Sequence, residues 1–235
     1  VKHSANQPVS SPLHPVDAKN AARFEADVRD WLEKAVIGLN LCPFARAPMR
    51  QGLIAFVVTA AADANQLLLE LEHQALALAR INPSQLETTL LIHPFVLHDF
   101  IDYNFFLDEA NALVKRLDLE GVLQIASFHP LYQFAGTDAD DVTNLTNRSP
   151  YPILHLLREE SISRAVDGMQ DPEALTQPRD LKTPGACRVE QTLPLAYLNR
   201  REPAQLSAGQ AICSYNSPAV SPPKAPAHLV LRKFL

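Results

Sequence analysis

Two short apolar runs in this chain end in the same way. Thr-Leu-Leu-Ile-His-Pro closes on His93 and Pro94, and Leu-Gln-Ile-Ala-Ser-Phe-His-Pro closes on His129 and Pro130. Histidine is the side chain whose ordinary pKa lies nearest neutrality, and its neutral ring is a common metal ligand. In a parallel sheet both rings sit at the carboxyl edge, where α/β folds place ligands. If the two strands are neighbours, their ends lie about 5 Å apart. The pair could then share a divalent metal, a proton or an anion. The plainer alternative is that each histidine finishes its strand and bonds a loop carbonyl.

A second group runs from Asn144 to Glu160. Ser149 has the chemistry of a helix cap, and Pro150 suits the first helical position. With Arg148 just outside, such a helix start is an anion site. On that helix His155 would have Arg158 at i+3 and Glu159 at i+4 as neighbours. His155 would border the apolar stripe of Ile153, Leu154, Leu157, Ile162 and Ala165. The plainer alternative is an ordinary capped helix with surface pairs.

Cys42 stands in Gly-Leu-Asn-Leu-Cys-Pro-Phe-Ala (38–45). A thioredoxin-like reading fails, because a helix precedes this segment, a strand follows it, and no second cysteine is near. A buried structural thiol is the default. A nucleophilic Cys42 would need His93, His129 or His155 beside it. The polar segment 131–148 carries Asp-Ala-Asp-Asp (138–141) without an EF-hand's glycine or closing glutamate. It reads as an active-site lid or a plain loop, with Tyr132 and Gln133 facing the same cleft as His129.

The elements that must position these residues follow from periodicity. A helix is expected near 18–38, capped by Asp17 or Asn20, with Phe24, Val28, Trp31 and Leu32 inward. A buried strand follows at 53–59. Asp63 caps a second helix that Asn82-Pro83 ends. A second strand spans 88–92. Asp99 caps a third helix to about Leu117, with Tyr103, Phe106, Ala110 and Val114 buried. A third strand spans 122–128, and a fourth helix runs from Ser149 to about Asp167. This α-β-α-β-α-β-α order predicts an α/β fold of two or three layers with a small, mostly parallel sheet of at least three strands. The alternative is an α+β, ferredoxin-like sheet with one strand antiparallel.

Composition narrows the functions. Seven glycines in 235 residues, and none in a phosphate-loop pattern, leave no nucleotide motif. A net charge of −5 gives no reason to expect nucleic acid or an anionic membrane surface. No apolar run is long enough for a spanning helix. The three cysteines, Cys42, Cys187 and Cys213, form no paired framework, which with the lack of a leader pattern suggests the cytoplasm. Prolines crowd both ends. Residues 1–16 therefore read as a disordered lead-in, 17–172 as one α/β domain, and 173–235 as a Pro-rich, poorly packed tail. The composition change after about 178 also fits a shifted reading frame, an expectation that intact mass of the native protein tests.

Five strings in order resemble a known family. They are the Cys42 segment, Thr-Thr-Leu-Leu-Ile-His-Pro (88–94), Asp-Phe-Ile-Asp-Tyr-Asn-Phe-Phe-Leu-Asp (99–108), Ala-Ser-Phe-His-Pro-Leu-Tyr-Gln-Phe-Ala-Gly (126–136) and Thr-Asn-Arg-Ser-Pro-Tyr-Pro-Ile-Leu-His-Leu-Leu-Arg-Glu-Glu-Ser-Ile (146–162). Over about residues 20–172 the chain resembles domain-of-unknown-function family 1415. The resemblance implies a small soluble bacterial protein, mainly proteobacterial, and brings no activity.

Taken together, the residues point to one polar cleft at the carboxyl edge. His93, His129, His155, Cys42 and Glu159 are the catalytic candidates. Tyr132, Gln133, Arg148, Ser149 and Arg158 are the substrate-binding candidates. His93 and His129 are the metal candidates. The expected chemistry is hydrolysis or group transfer on a small anionic substrate, or non-catalytic binding of an anion or metal. Oligomeric state is not legible.

Overall fold

The computed structural model describes residues 16–42 and 44–167. The expected lead-in up to residue 15, the end of the expected domain from 168 to 172 and the whole Pro-rich tail (173–235), with Cys187 and Cys213, lie outside the described residues. So does Pro43.

The chain begins with α1 (Ala18–Trp31), which passes into a π-helical turn at Leu32–Ile37. Asp17 takes the N-cap position but its side chain makes no cap bond. The wide turn ends at Gly38, whose N–H donates to the Glu33 carbonyl at 3.0 Å. A side chain there is excluded, because a Cβ on Gly38 would lie 2.2 Å from the Lys34 carbonyl oxygen. A short α2 (Arg46–Gln51) follows, closed by Gly52 at φ +68°, a left-handed value that glycine adopts freely. Next come β1 (Ile54–Val58), α3 (Ala64–Arg80), β2 (Thr88–Ile92), α4 (Phe100–Arg116) and β3 (Leu123–Phe128). Asp63 caps α3 by accepting from the Gln66 N–H, and Asp99 caps α4 by accepting from Ile101 and Asp102.

After β3 the structure departs from expectation. Val142–Thr146 forms a 3₁₀ turn. Ile153–Arg158 is then a strand, β4, and only Glu159–Asp167 is helical, as α5. The reason lies in Pro150-Tyr151-Pro152. A residue before proline is driven out of the helical region, so the chain enters residue 153 extended. The run 153–158 is also of strand length rather than helix length.

The sheet order is β1-β2-β4-β3. β1 and β2 run parallel, while β4 lies antiparallel between β2 and β3. The fold class is thus mixed α/β, but two of the three pairings are antiparallel, which corrects the mostly parallel expectation. β4 is buried on both faces, with Ile153, Leu154 and Leu156 fully enclosed. That explains why its sequence lacks polar alternation and mimics a helical stripe.

Period-2 alternation divides the core into two layers. Leu91, Leu154 and Leu156 pack with Leu67, Leu71 and Leu78 of α3 and with Tyr103, Phe106 and Leu113 of α4. On the other face Leu90, Ile92, Ala126, Phe128 and Ile153 pack with Phe24, Val28, Trp31 and Val36 of α1 and its π turn. Among the described residues, no helix is long and apolar enough to cross a membrane.

Candidate functional site

His93 and His129 follow the last residues of β2 and β3 at the same end of the sheet. By alternation they share the face covered by α3 and α4. They are not on neighbouring strands, because β4 separates them. Two strand spacings put their backbones roughly 10 Å apart. The space between is filled by Tyr103 of α4. Its ring stacks on His93 (centroids 5.8 Å, planes 18° apart) and tilts against His129 (5.0 Å, 35°). Its hydroxyl donates to the Ile153 carbonyl at 2.8 Å and accepts from the Phe128 N–H at 3.1 Å. Phe128 and Ile153 are register partners, so the phenol oxygen is inserted into the last rung of the β3–β4 ladder. The expected shared His–His site is therefore a His–Tyr–His stack.

Hydrogen bonds fix the state of each ring. The Leu131 N–H donates to Nδ1 of His129 at 3.0 Å. The proton of His129 must then sit on Nε2, which donates to the Leu97 carbonyl at 3.1 Å. Both ring nitrogens of His129 are thus engaged. In His93, Nδ1 donates to the Val96 carbonyl at 3.2 Å. That leaves Nε2 of His93 as a bare acceptor, and it is buried without a hydrogen-bond partner among the described residues. Both residues are fully shielded from solvent. Burial holds the His93 pKa down to about 3, and burial likewise lowers His129 to about 4, although the Asp99 carboxylate pulls the latter partly back. Both rings are therefore neutral near pH 7. Nε2 of His98 donates to the Pro94 carbonyl at 2.9 Å, so three histidines tie down the loop between β2 and α4.

Aromatic rings continue outward from the stack. Phe100 lies 5.4 Å from His129, 6.4 Å from Tyr103 and 5.2 Å from Tyr132. Tyr132 in turn meets Phe134 edge-on at 5.0 Å. Burial raises the Tyr132 pKa.

The other expected residues are placed elsewhere or engaged. His155 lies in mid-strand on the α1 face, diagonal to Thr88 across the β2–β4 pair. The Thr88 hydroxyl donates to the Leu156 carbonyl at 2.6 Å, so Nε2–H of His155 donates to Thr88 Oγ1 at 2.7 Å. Burial lowers the His155 pKa to about 4. Arg158 sits at the far end of the sheet. It donates to the carbonyls of Leu78 and Ile81 at 2.6 Å and of Leu86 at 3.2 Å, closing the end of α3. Glu159 opens α5 at that same far end, its N–H donating to Val122. Since 153–158 is a strand, the i+3 and i+4 neighbourhood expected for His155, Arg158 and Glu159 does not exist.

Ser149 is not a helix cap; its hydroxyl donates to the Tyr151 carbonyl at 2.5 Å. Arg148 staples the 131–148 loop, donating to the Tyr132 carbonyl at 3.1 Å and the Ala139 carbonyl at 2.6 Å. Gln133 donates to the Thr137 carbonyl. Cys42 is half-buried and packs against the α1-side core, on the opposite side of the sheet from His93 and His129.

Sequence reasoning missed two organising asparagines. The fully buried Asn144 accepts from the Phe134 N–H and the Thr137 hydroxyl and donates to the Asp138 carbonyl. Asn147 donates to the Ser127 carbonyl, and its own carbonyl accepts the His129 N–H. Their only signal was the Thr/Asn-rich run 143–147, because such side chains replace backbone partners in irregular loops. Tyr103 was legible only as an apolar helix face. Among the described residues, no group of three or more His, Cys, Asp or Glu side chains is arranged to hold a metal ion.

A family model described as "Protein of unknown function (DUF1415)" matches residues 23–184. The match runs beyond the expected boundary near 172. No curated protein matches the chain, and no solved structure matches it. Because the match covers well over half of the sequence, the chain belongs to the DUF1415 family.

Proposed function

We propose that the chain is a small-molecule binding domain whose ligand contacts Nε2 of His93 at the carboxyl edge of the sheet. The single observation behind this reading is that atom. A buried polar atom left unpaired costs roughly 1–3 kcal/mol, so natural folds hold few of them, and a functional site is one setting that retains them. His93 is also oriented for the task. The Nδ1–H bond to Val96 fixes its tautomer and aims a lone pair from the opposite side of the ring.

Hydrolysis or transfer on an anionic substrate has less support than the binding reading. Arg148 and Ser149 are engaged with backbone carbonyls, no helix begins at Ser149, and Arg158 lies at the far end. A two-histidine metal site has one available nitrogen, since both nitrogens of His129 are bonded. A reducing bacterial cytoplasm is the setting we assign, on the unpaired cysteine pattern and the family resemblance.

The test is a fragment library added to full-length protein carrying ¹⁵N-labelled histidine. The His93 Nε2 resonance should move saturably with at least one compound, and His93→Phe should abolish that binding. If no compound moves the resonance and His93→Phe only raises stability, His93 is a core residue and the reading falls.

A further inference from the structure

The chemistry around His93 narrows the ligand to one class. We infer that it is a small, uncharged molecule with a flat apolar body and a single N–H or O–H donor, such as a phenol or an indole. This rests on the reading above that Nε2 of His93 is the ligand contact.

Three independent features carry it. The first is the acceptor itself. With Nδ1–H held by the Val96 carbonyl, Nε2 presents a lone pair and no proton. It therefore pairs with a donor and offers nothing to an acceptor such as a carboxylate or phosphate.

The second is the character of the neighbouring charges. Among the described residues, the titratable side chains that bear on His93 are His129 and His98. Nearby Asp99 has its Oδ1 on the Ile101 and Asp102 N–H groups at 2.8 and 3.1 Å. Arg148 is held by the Tyr132 and Ala139 carbonyls. A charged ligand at Nε2 would thus lose its hydration at a cost of several kcal/mol per ion, while the carboxylate of Asp99 acts on His129 and caps α4. A metal would find a single protein nitrogen where stable sites supply three or four ligands.

The third is shape. The surroundings of Nε2 are planar rings, the stack His93–Tyr103–His129 and the adjoining Phe100 and Tyr132, packed face to face or at a tilt. Flat ligands gain from offset or edge contacts with such rings. Because His93 is fully buried, a ligand reaches Nε2 only by entering among these side chains, which favours a small one.

Three probes that share one ring separate the possibilities: phenol, benzoate and benzylammonium, neutral, negative and positive at pH 7. Each is titrated into full-length ¹⁵N-histidine protein while the His93 Nε2 resonance is followed. Phenol should bind at least tenfold more tightly than either ion and move that resonance saturably. The native protein carries this readout, so it does not depend on a variant folding. His93→Phe should remove phenol binding, and His93→Gln provides a second variant that retains a polar side chain. Charged probes binding within threefold of phenol, or phenol leaving the resonance unmoved, would overturn the class. If phenol fails while another library compound moves His93, the site stands and the class is wrong. If nothing moves His93, both readings fall.

Discussion

Acid should unfold this protein through its histidines, in a window set by their burial. His93, His129 and His155 are held neutral in the fold, with pKa values lowered to about 3, 4 and 4 from an ordinary 6.5. Each folded pKa lies below the unfolded one. Above pH 6.5 both states leave the rings neutral and there is no cost. As pH falls through 6.5 the unfolded chain takes up protons that the folded chain refuses, and stability drops until the folded rings titrate near 4 and 3. At pH 5 each ring is about 1.5 pH units below its unfolded pKa, worth about 2 kcal/mol, or about 6 kcal/mol for three. Domains of ordinary stability have roughly 5–15 kcal/mol in all. Urea unfolding at pH 7.5, 6.0, 5.5 and 5.0 measures this directly. The slope near pH 5 should approach about 4 kcal/mol per pH unit, the value for three protons. His155→Gln should remove one proton from that slope while leaving the other two. A stability that changes by less than about 1 kcal/mol between pH 7.5 and 5.0 would show that the rings protonate freely in the fold, and would refute the burial argument.

Three further outcomes follow from single contacts. Arg158→Met should cost about 3 kcal/mol, because the Leu78, Ile81 and Leu86 carbonyls lose a charged donor. Urea midpoints measure it, and the His93 resonance should stay in place, since Arg158 is at the other end of the sheet. Gly38→Ala should cost about 1–3 kcal/mol by forcing a Cβ against the Lys34 carbonyl; a thermal midpoint equal to the native one would contradict the close approach. Asn144→Ala should speed amide exchange at Phe134 and across the 131–148 loop while β2 and β4 stay protected, because it removes three bonds within that loop.

What the sequence revealed depends on how local each signal is. The strand 88–92 and the caps Asp63 and Asp99 were legible, because a short β-branched run or an aspartate before an amphipathic stretch needs no distant partner. β4 was not, because burial on both faces erases alternation and leaves an apolar run that a helical stripe also produces. That one error displaced four candidates, since Ser149, His155, Arg158 and Glu159 were all assigned roles on one helix. The two carboxyl-edge histidines were found, but their separation was not. Element order alone does not say that the last strand enters between the two earlier ones. Tyr103 was expected inside, yet its hydroxyl's place in the ladder depends on a contact with Ile153, fifty positions away. Arg148 was read as an anion holder because an arginine beside a cap is a local pattern, whereas its carbonyl partners are set by the path of the loop.

The late arrival of β4 shapes how this chain is made. β2 and β3 pair with β4 and not with each other. While the ribosome has delivered the chain only as far as residue 150, both strands hold a full row of unsatisfied backbone groups facing the gap. The sheet closes when Ile153–Arg158 emerges and fills it, joining residues more than sixty positions apart on the β2 side. Nascent chains halted before Ile153 should therefore stay sensitive to protease and bind chaperones, and those halted well beyond Arg158 should not. In this protein the six-residue segment Ile153–Arg158 acts as the keystone for synthesis.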